Sequence, residues 1–130
     1  MARLLRVLIA AESATFFIGA VLHAGVQVPL GFAVLAEPRI VPATIVEASA
    51  GCALAVAAFG LFTRRPWAWS VTVAAQIVAL AGVFLGMAAL AAGRGPRTMS
   101  NDVYHRVMVC TLLAGLAISM SRRSRVEVPQ

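Results

Sequence analysis

The chain has 130 residues, of which 61% are hydrophobic and 12% charged, with a formal net charge of +6. A soluble domain of this length carries roughly 25% charged residues, so an ordinary soluble globule, a disordered chain and a disulfide-stapled secreted module are excluded, and a small one-domain integral membrane protein remains. All eleven basic residues are arginine and sit at the ends of apolar runs without interleaved aromatics, which marks membrane topology and not a nucleic-acid surface.

The first apolar segment follows Arg3 and Arg6 and predicts a helix over residues 7–23. Glu12 in its middle argues against a cleaved signal peptide. Residues 24–41 form a loop that is too apolar for free solvation, with Val26, Val28, Leu30, Phe32, Val34 and Leu35. It is expected to lie at the membrane interface or to fold back over the bundle as a lid.

The second helix is expected over 42–62, with Pro42 in its first turn and Thr63-Arg64-Arg65-Pro66 closing it. The third runs over 67–92, opened by Trp67 and Trp69 at an interface and closed by Gly93-Arg94-Gly95-Pro96. The fourth spans 101–121, capped by Ser100 or Asn101, with Asp102 in its first turn and Tyr104 at headgroup level. Each segment reaches the roughly 17–25 residues needed to cross the hydrocarbon core. The expected fold is therefore all-α: a polytopic four-transmembrane-helix bundle in the plasma membrane, multi-pass, with no internal repeat.

Orientation follows from the arginines. With the N-terminus inside, Arg3, Arg6, Arg64, Arg65, Arg122, Arg123 and Arg125 fall on the inner side, against Arg39, Arg94, Arg97 and Arg106 outside. Seven against four places both termini in the cytoplasm.

Ionisable groups inside a membrane are costly and point to function. Glu12 and His23 are eleven residues apart, close to three turns, and share a helix face. Glu47 lies near the outer end of the second helix, and Asp102 and His105 open the fourth. His23, Glu47, Asp102 and His105 could meet in the outer third of the bundle, with Glu12 below them. A central carboxyl such as Glu12 must be protonated, paired or facing water, and Gln76 is a candidate neutral partner. These five residues form the expected ligand or proton-linked set.

Asp102-x-x-His105 with Glu47 and His23 is also a conceivable metal set, and His23 with His105 a conceivable haem pair. No cofactor is expected as the main reading. The bland alternatives are Asp102 paired with Arg106, His23 half hydrated at the boundary, and Glu47 paired with Arg39, Arg94 or Arg97. Cys52 and Cys110 fall in apolar runs outside any zinc or redox spacing and are expected to be buried thiols. Gly82-x-x-x-Gly86 allows close helix packing, within the bundle or across a homodimer. No nucleophile elbow or phosphate-binding loop is present, so a non-enzymatic role is expected.

The segment Gly93-Arg94-Gly95-Pro96-Arg97-Thr98 followed by Ser100-Asn101-Asp102-Val103-Tyr104-His105-Arg106-Val107-Met108 resembles a loop signature of uncharacterised small four-helix bacterial inner-membrane proteins. Glu37-Pro38 and Pro42-Ala43-Thr44-Ile45-Val46-Glu47 resemble the same group. The size and four-helix plan are more loosely similar to DoxX-like membrane proteins. Ala10-Ala11-Glu12-Ser13 is similar to the first-helix Glu of small multidrug exporters, although the long apolar loop, Glu47 and the two histidines depart from them.

The leading functional expectation is an outward-opening ionisable pocket for a proton-linked small ligand or ion. The alternatives are an accessory or assembly subunit of another membrane protein and a metal- or haem-binding redox protein. The expected partners are the lipid bilayer and a second membrane protein or copy, with no nucleic acid.

Overall fold

The computed structural model describes residues 2–121. Within them are four helices: α1 (Ala2–His23), α2 (Val41–Phe62), α3 (Ala68–Ala91) and α4 (Met99–Met120). All four are long and apolar enough to cross a membrane. Short connections join α2 to α3 and α3 to α4, and the longer segment 24–40 joins α1 to α2, so that neighbours in sequence are antiparallel. The helices close into a ring, with α1 against α2 and α4, and α3 against α2 and α4. The α1–α2 and α3–α4 connections lie at one end, called here the hairpin end. The opposite end holds the start of α1 and the α2–α3 turn.

Helix α1 starts five residues earlier than its apolar run, at Ala2. Hydropathy marks only the apolar stretch, whereas arginine is a good helix former, and Leu5 is buried between Arg3 and Arg6. The other helices begin or end within two residues of the expected limits, at 41–62, 68–91 and 99–120. Arg122, Arg123 and Arg125 lie outside the described residues.

Small residues set the packing. Leu5, Ile9 and Phe16 of α1 meet Ala57 and Leu54 of α2, with Ala75, Ala79 and Val83 from α3 and Met108 and Leu112 from α4 completing the core. The Ser13 hydroxyl donates to the Gly51 carbonyl at 2.9 Å and ties α1 to α2. At the terminal end the Trp69 indole N–H donates to the Ser119 carbonyl at 2.7 Å and ties α3 to α4. Gly82 faces Val46, whose Cγ1 would lie 2.8 Å from an added Cβ, and Gly86 faces His105. Both glycines thus point at neighbours within the chain. Cys52 and Cys110, expected to be buried, are exposed. The buried seam of α2 passes through Glu47, Ala50, Gly51 and Leu54, and that of α4 through Met108 and Leu112, which leaves both thiols on outer faces.

The expected apolar loop forms a two-stranded hairpin, with β1 (Val28–Pro29) antiparallel to β2 (Val34–Leu35). Gly31 turns it with a φ of +84°, in the left-handed region that favours glycine. Phe32 at the tip is 90% exposed. The foot is zipped by the Ile40 N–H donating to the His23 carbonyl at 2.9 Å.

Glu37 then latches the foot to α4. The Thr98 hydroxyl donates to Glu37 Oε2 at 2.8 Å, and the Ser100 hydroxyl donates to Oε1. Thr98, and not Ser100 or Asn101, is the N-cap of α4, its Oγ1 accepting from the Asn101 N–H at 3.1 Å. Glu37→Ala should cost about 1 kcal/mol, because water can replace part of these half-exposed hydrogen bonds. Faster amide exchange across residues 28–37, with the four helices retained, is the expected signature. Unchanged exchange there would show that the latch does not hold the hairpin.

Candidate functional site

The site is built by side chains that lean along their helices. His23 ends α1, and a helical side chain tilts toward its own N-terminus, so the imidazole dips into the bundle. Glu47 lies six residues into the antiparallel α2, about 9 Å along its axis, and leans back toward the hairpin end. The two meet with His23 Nδ1 2.8 Å from Glu47 Oε2. Both are buried, His23 to 2% exposure, so it is not a half-hydrated boundary residue. Glu47 pairs with this histidine and not with Arg39, Arg94 or Arg97.

Gly19 makes the meeting sterically feasible. A Cβ there would stand 2.9 Å from both Glu47 Oε2 and the Tyr104 hydroxyl. The missing side chain lets α2 and α4 each insert a polar group beside α1. Tyr104 is half-buried and faces the cavity, its ring edge-on to His105 at a centroid distance of 5.5 Å.

His105 places Nδ1 2.9 Å from the Asn101 carbonyl, which can only accept. That partner fixes the Nδ1 proton, so the neutral ring carries its lone pair on Nε2. This nitrogen faces Gly86, where an added Cβ would lie 3.1 Å away. His23 has the same arrangement: Nδ1–H donates to the Glu47 carboxylate, and Nε2 is buried without a hydrogen-bond partner among the described residues.

These groups share a cavity of about 360 Å³ at the hairpin end, walled by the end of α1, the start of α2, the end of α3 and the start of α4. His23, Glu47, Asn101, Tyr104 and His105 give it polar points on an otherwise apolar wall that includes Phe16 and Gly86. A smaller cavity of about 170 Å³ lies beneath the hairpin, lined by Leu35 and Glu37. His23, Asn101 and Tyr104 stand between the two, and each has a buried polar atom without a hydrogen-bond partner among the described residues: Nε2, Oδ1 and the hydroxyl.

Asp102 does not join them. It faces Arg97, with Nε 3.1 Å from Oδ2, and does not pair with Arg106. The reason is angular. The buried positions of α4 run Asn101, His105, Met108, Leu112, Gly115 and Ser119, a seam spaced four and three. Residues three apart differ by about 60° around a helix, and with His105 in the seam Asp102 turns to its side. Among the described residues no three His, Cys, Asp or Glu side chains come together to hold a metal ion. The set His23, Glu47, Asp102 and His105 therefore does not fit one.

Glu12 belongs to a separate cluster. It is 2% exposed, and neither carboxyl oxygen meets a hydrogen-bond partner among the described residues. Gln76 of α3 lies beside it, at the same height in the antiparallel bundle, without reaching hydrogen-bond geometry. The Ser119 hydroxyl of α4 lies 2.8 Å from the Gly115 carbonyl and 3.1 Å from Gln76 Oε1, so one proton serves two acceptors. Gly115 opens this space: an added Cβ would run into Gln76 Nε2 and stand 3.2 Å from Glu12 Oε1.

Asn101, Tyr104, Gly19, Gly115 and Ser119 were not among the site residues expected from sequence. The four-three seam through His105 would have found Asn101, Gly115 and Ser119. Tyr104 and Gly19 carry no such signal, since their roles arise from contacts between helices. No protein-family model matches the chain, and no curated protein or solved structure is significantly similar to it.

Proposed function

We propose that the chain is a multi-pass plasma-membrane protein, both termini cytoplasmic, that binds a small, largely apolar ligand at its outward-facing hairpin end. The observation that carries this reading is the cavity of about 360 Å³ with the buried His23–Glu47 pair in its wall. Small-molecule sites are typically apolar clefts of roughly 300–1,000 Å³ with a few convergent polar groups. A histidine–carboxylate pair buried in a bundle is costly unless it is used. Ligand entry is linked to a proton or cation at this pair, because a polar head that engages Glu47 competes with the imidazole for it. Orientation rests on the order of the arginines in the sequence, seven flanking the segment ends read as inner against four flanking those read as outer, with Arg122, Arg123 and Arg125 of the seven outside the described residues.

The test fills the cavity. Ala43 and Ala89 line it from α2 and α3. Purified protein in phosphatidylcholine nanodiscs is titrated with 2-phenylethanol and 2-phenylethylamine, and saturable uptake is compared with that of Ala43→Phe and Ala89→Phe. The expected result is saturable binding weakened at least tenfold in both variants, roughly 1.4 kcal/mol. Equal uptake by the wild type and by folded filled variants would leave only partition into lipid and would reject the site.

A further inference from the structure

The wall of the hairpin-end cavity changes character with depth. Its upper part is polar: His23 closes α1, Asn101 lies in the first turn of α4, and Arg94 follows α3 in the loop. The lower part is apolar. Phe16 lies seven residues before His23, about 10 Å along the α1 axis, and Gly82 nine residues before the end of α3, about 13 Å. Gly82 and Gly86 bring no side chain to this wall, so α3 forms one side of a trough.

The trough is open sideways, between α2 and α3. Leu85 lines it and is nevertheless 65% exposed, beside the outward face of α3 that carries Ile77, Val78 and Phe84. Across the gap, at the start of α2, Pro42 is exposed and Ala43 and Val46 are half-buried.

We propose, on the premise that the cavity is the ligand site of a membrane-spanning bundle, that its ligand is an acylglycerol with free hydroxyls, drawn from the leaflet on the hairpin side. Its chain lies in the trough and its head at the helix ends. Helix α3 has 24 residues, about 36 Å against about 30 Å of hydrocarbon, so Leu85, about 9 Å from the helix end, borders lipid chains. An apolar hollow excludes water, and one open to lipid takes up a chain. That chain gains little by leaving lipid for an equally apolar wall, so selection falls to the head.

The head meets His23 Nε2, Asn101 Oδ1 and the Tyr104 hydroxyl, which are buried without a hydrogen-bond partner among the described residues. The amide oxygen accepts, the phenol donates or accepts, and Nε2 does either according to its protonation. Hydroxyls satisfy each of these cases, and on separate carbons they have no need to converge. Glu47 is already paired with His23, so the site demands no charge of the head. A phosphocholine head has no donor and leaves the Asn101 oxygen unpaired.

Two photoreactive probes carry a diazirine at the same mid-chain carbon, one a monoacylglycerol and the other a phosphatidylcholine. Each is added as a minor component to phosphatidylcholine nanodiscs holding the protein, and after irradiation the labelled residues are assigned by peptide mass spectrometry. Phe16 and Val83 are 1% and 4% exposed, so a label there reports a chain inside the cavity, whereas Ile77, Val78 and Phe84 report lipid outside. The monoacylglycerol is expected to label the inner pair with an inner-to-outer ratio at least fivefold above that of the phosphatidylcholine. Ala89→Phe should lower that ratio at least fivefold. Should that variant not fold, the two probes on wild-type protein decide alone.

Equal ratios for the two probes would overturn the choice of a hydroxylated head. Labels confined to the outer residues would overturn the lipid assignment altogether. The cavity reading would still stand if 2-phenylethanol bound saturably and Ala89→Phe weakened that binding, and would fall with the lipid assignment if it did not.

Discussion

Gly115→Val is expected to lower the free energy of unfolding by about 3 kcal/mol, the upper end of the cost of forcing extra carbon into a packed interior. Even the first added carbon would collide with Gln76 Nε2 and crowd Glu12 Oε1. Gln76 cannot withdraw without leaving Ser119, whose hydroxyl lies 3.1 Å from its Oε1. The new side chain therefore either spreads α4 from α1 and α3 or breaks the hydrogen bond that joins α3 to α4. Ala114→Val is the control, because Ala114 adjoins Gly115 on α4 but is exposed. Reversible unfolding in mixed micelles measures both. A Gly115→Val loss within about 0.5 kcal/mol of the control, the usual range of surface substitutions, would show that the helices can separate there without penalty.

Glu12→Met is expected to raise stability by about 2 kcal/mol. A buried polar group without a partner forfeits its water hydrogen bonds, at about 1–3 kcal/mol, and an apolar residue of similar shape removes that loss. Methionine is flexible enough to fill an irregular site. Its neighbours Leu5, Ile9 and Phe16 on the same α1 seam are apolar. Binding of 2-phenylethylamine should be unchanged, because Glu12 is absent from the wall of the hairpin-end cavity. Lower stability in Glu12→Met would mean that water or a cation occupies the cluster in the membrane and satisfies the carboxyl. Glu12 would then be part of a second binding site.

The gain from Glu12→Met and the loss from Gly115→Val test one arrangement from opposite sides. A glycine on α4 opens a space, and the polar groups Glu12 and Gln76 fill it without pairing well. A helix bundle with no other demand on it would place apolar side chains there. Retaining a poorly satisfied carboxyl costs stability, and such costs are concentrated at functional positions.

Much was legible from the amino-acid order. Four helices and the connections between them follow from apolar runs of membrane-crossing length, a property that each segment carries by itself. Glu12, Glu47, His23 and His105 stand out because an ionisable residue in such a run has few inexpensive surroundings. The shared face of Glu12 and His23 follows from helical periodicity alone, and both prove buried.

What only the tertiary structure decided is which side chains meet. The His23–Glu47 pair depends on two antiparallel helices leaning toward each other across the space left by Gly19. The choice between His105 and Asp102 rested on which of two neighbouring stripes of α4 became the seam, and both stripes contain polar residues near the helix start. Cys52 and Cys110 were assigned to the interior because they are apolar, but in segments that are apolar on every side hydropathy cannot tell the inner face from the outer one. Local sequence determines the spans and the inventory of costly groups. The rotation of each helix about its axis, set by glycine and alanine contacts between helices, determines which of those groups become a site.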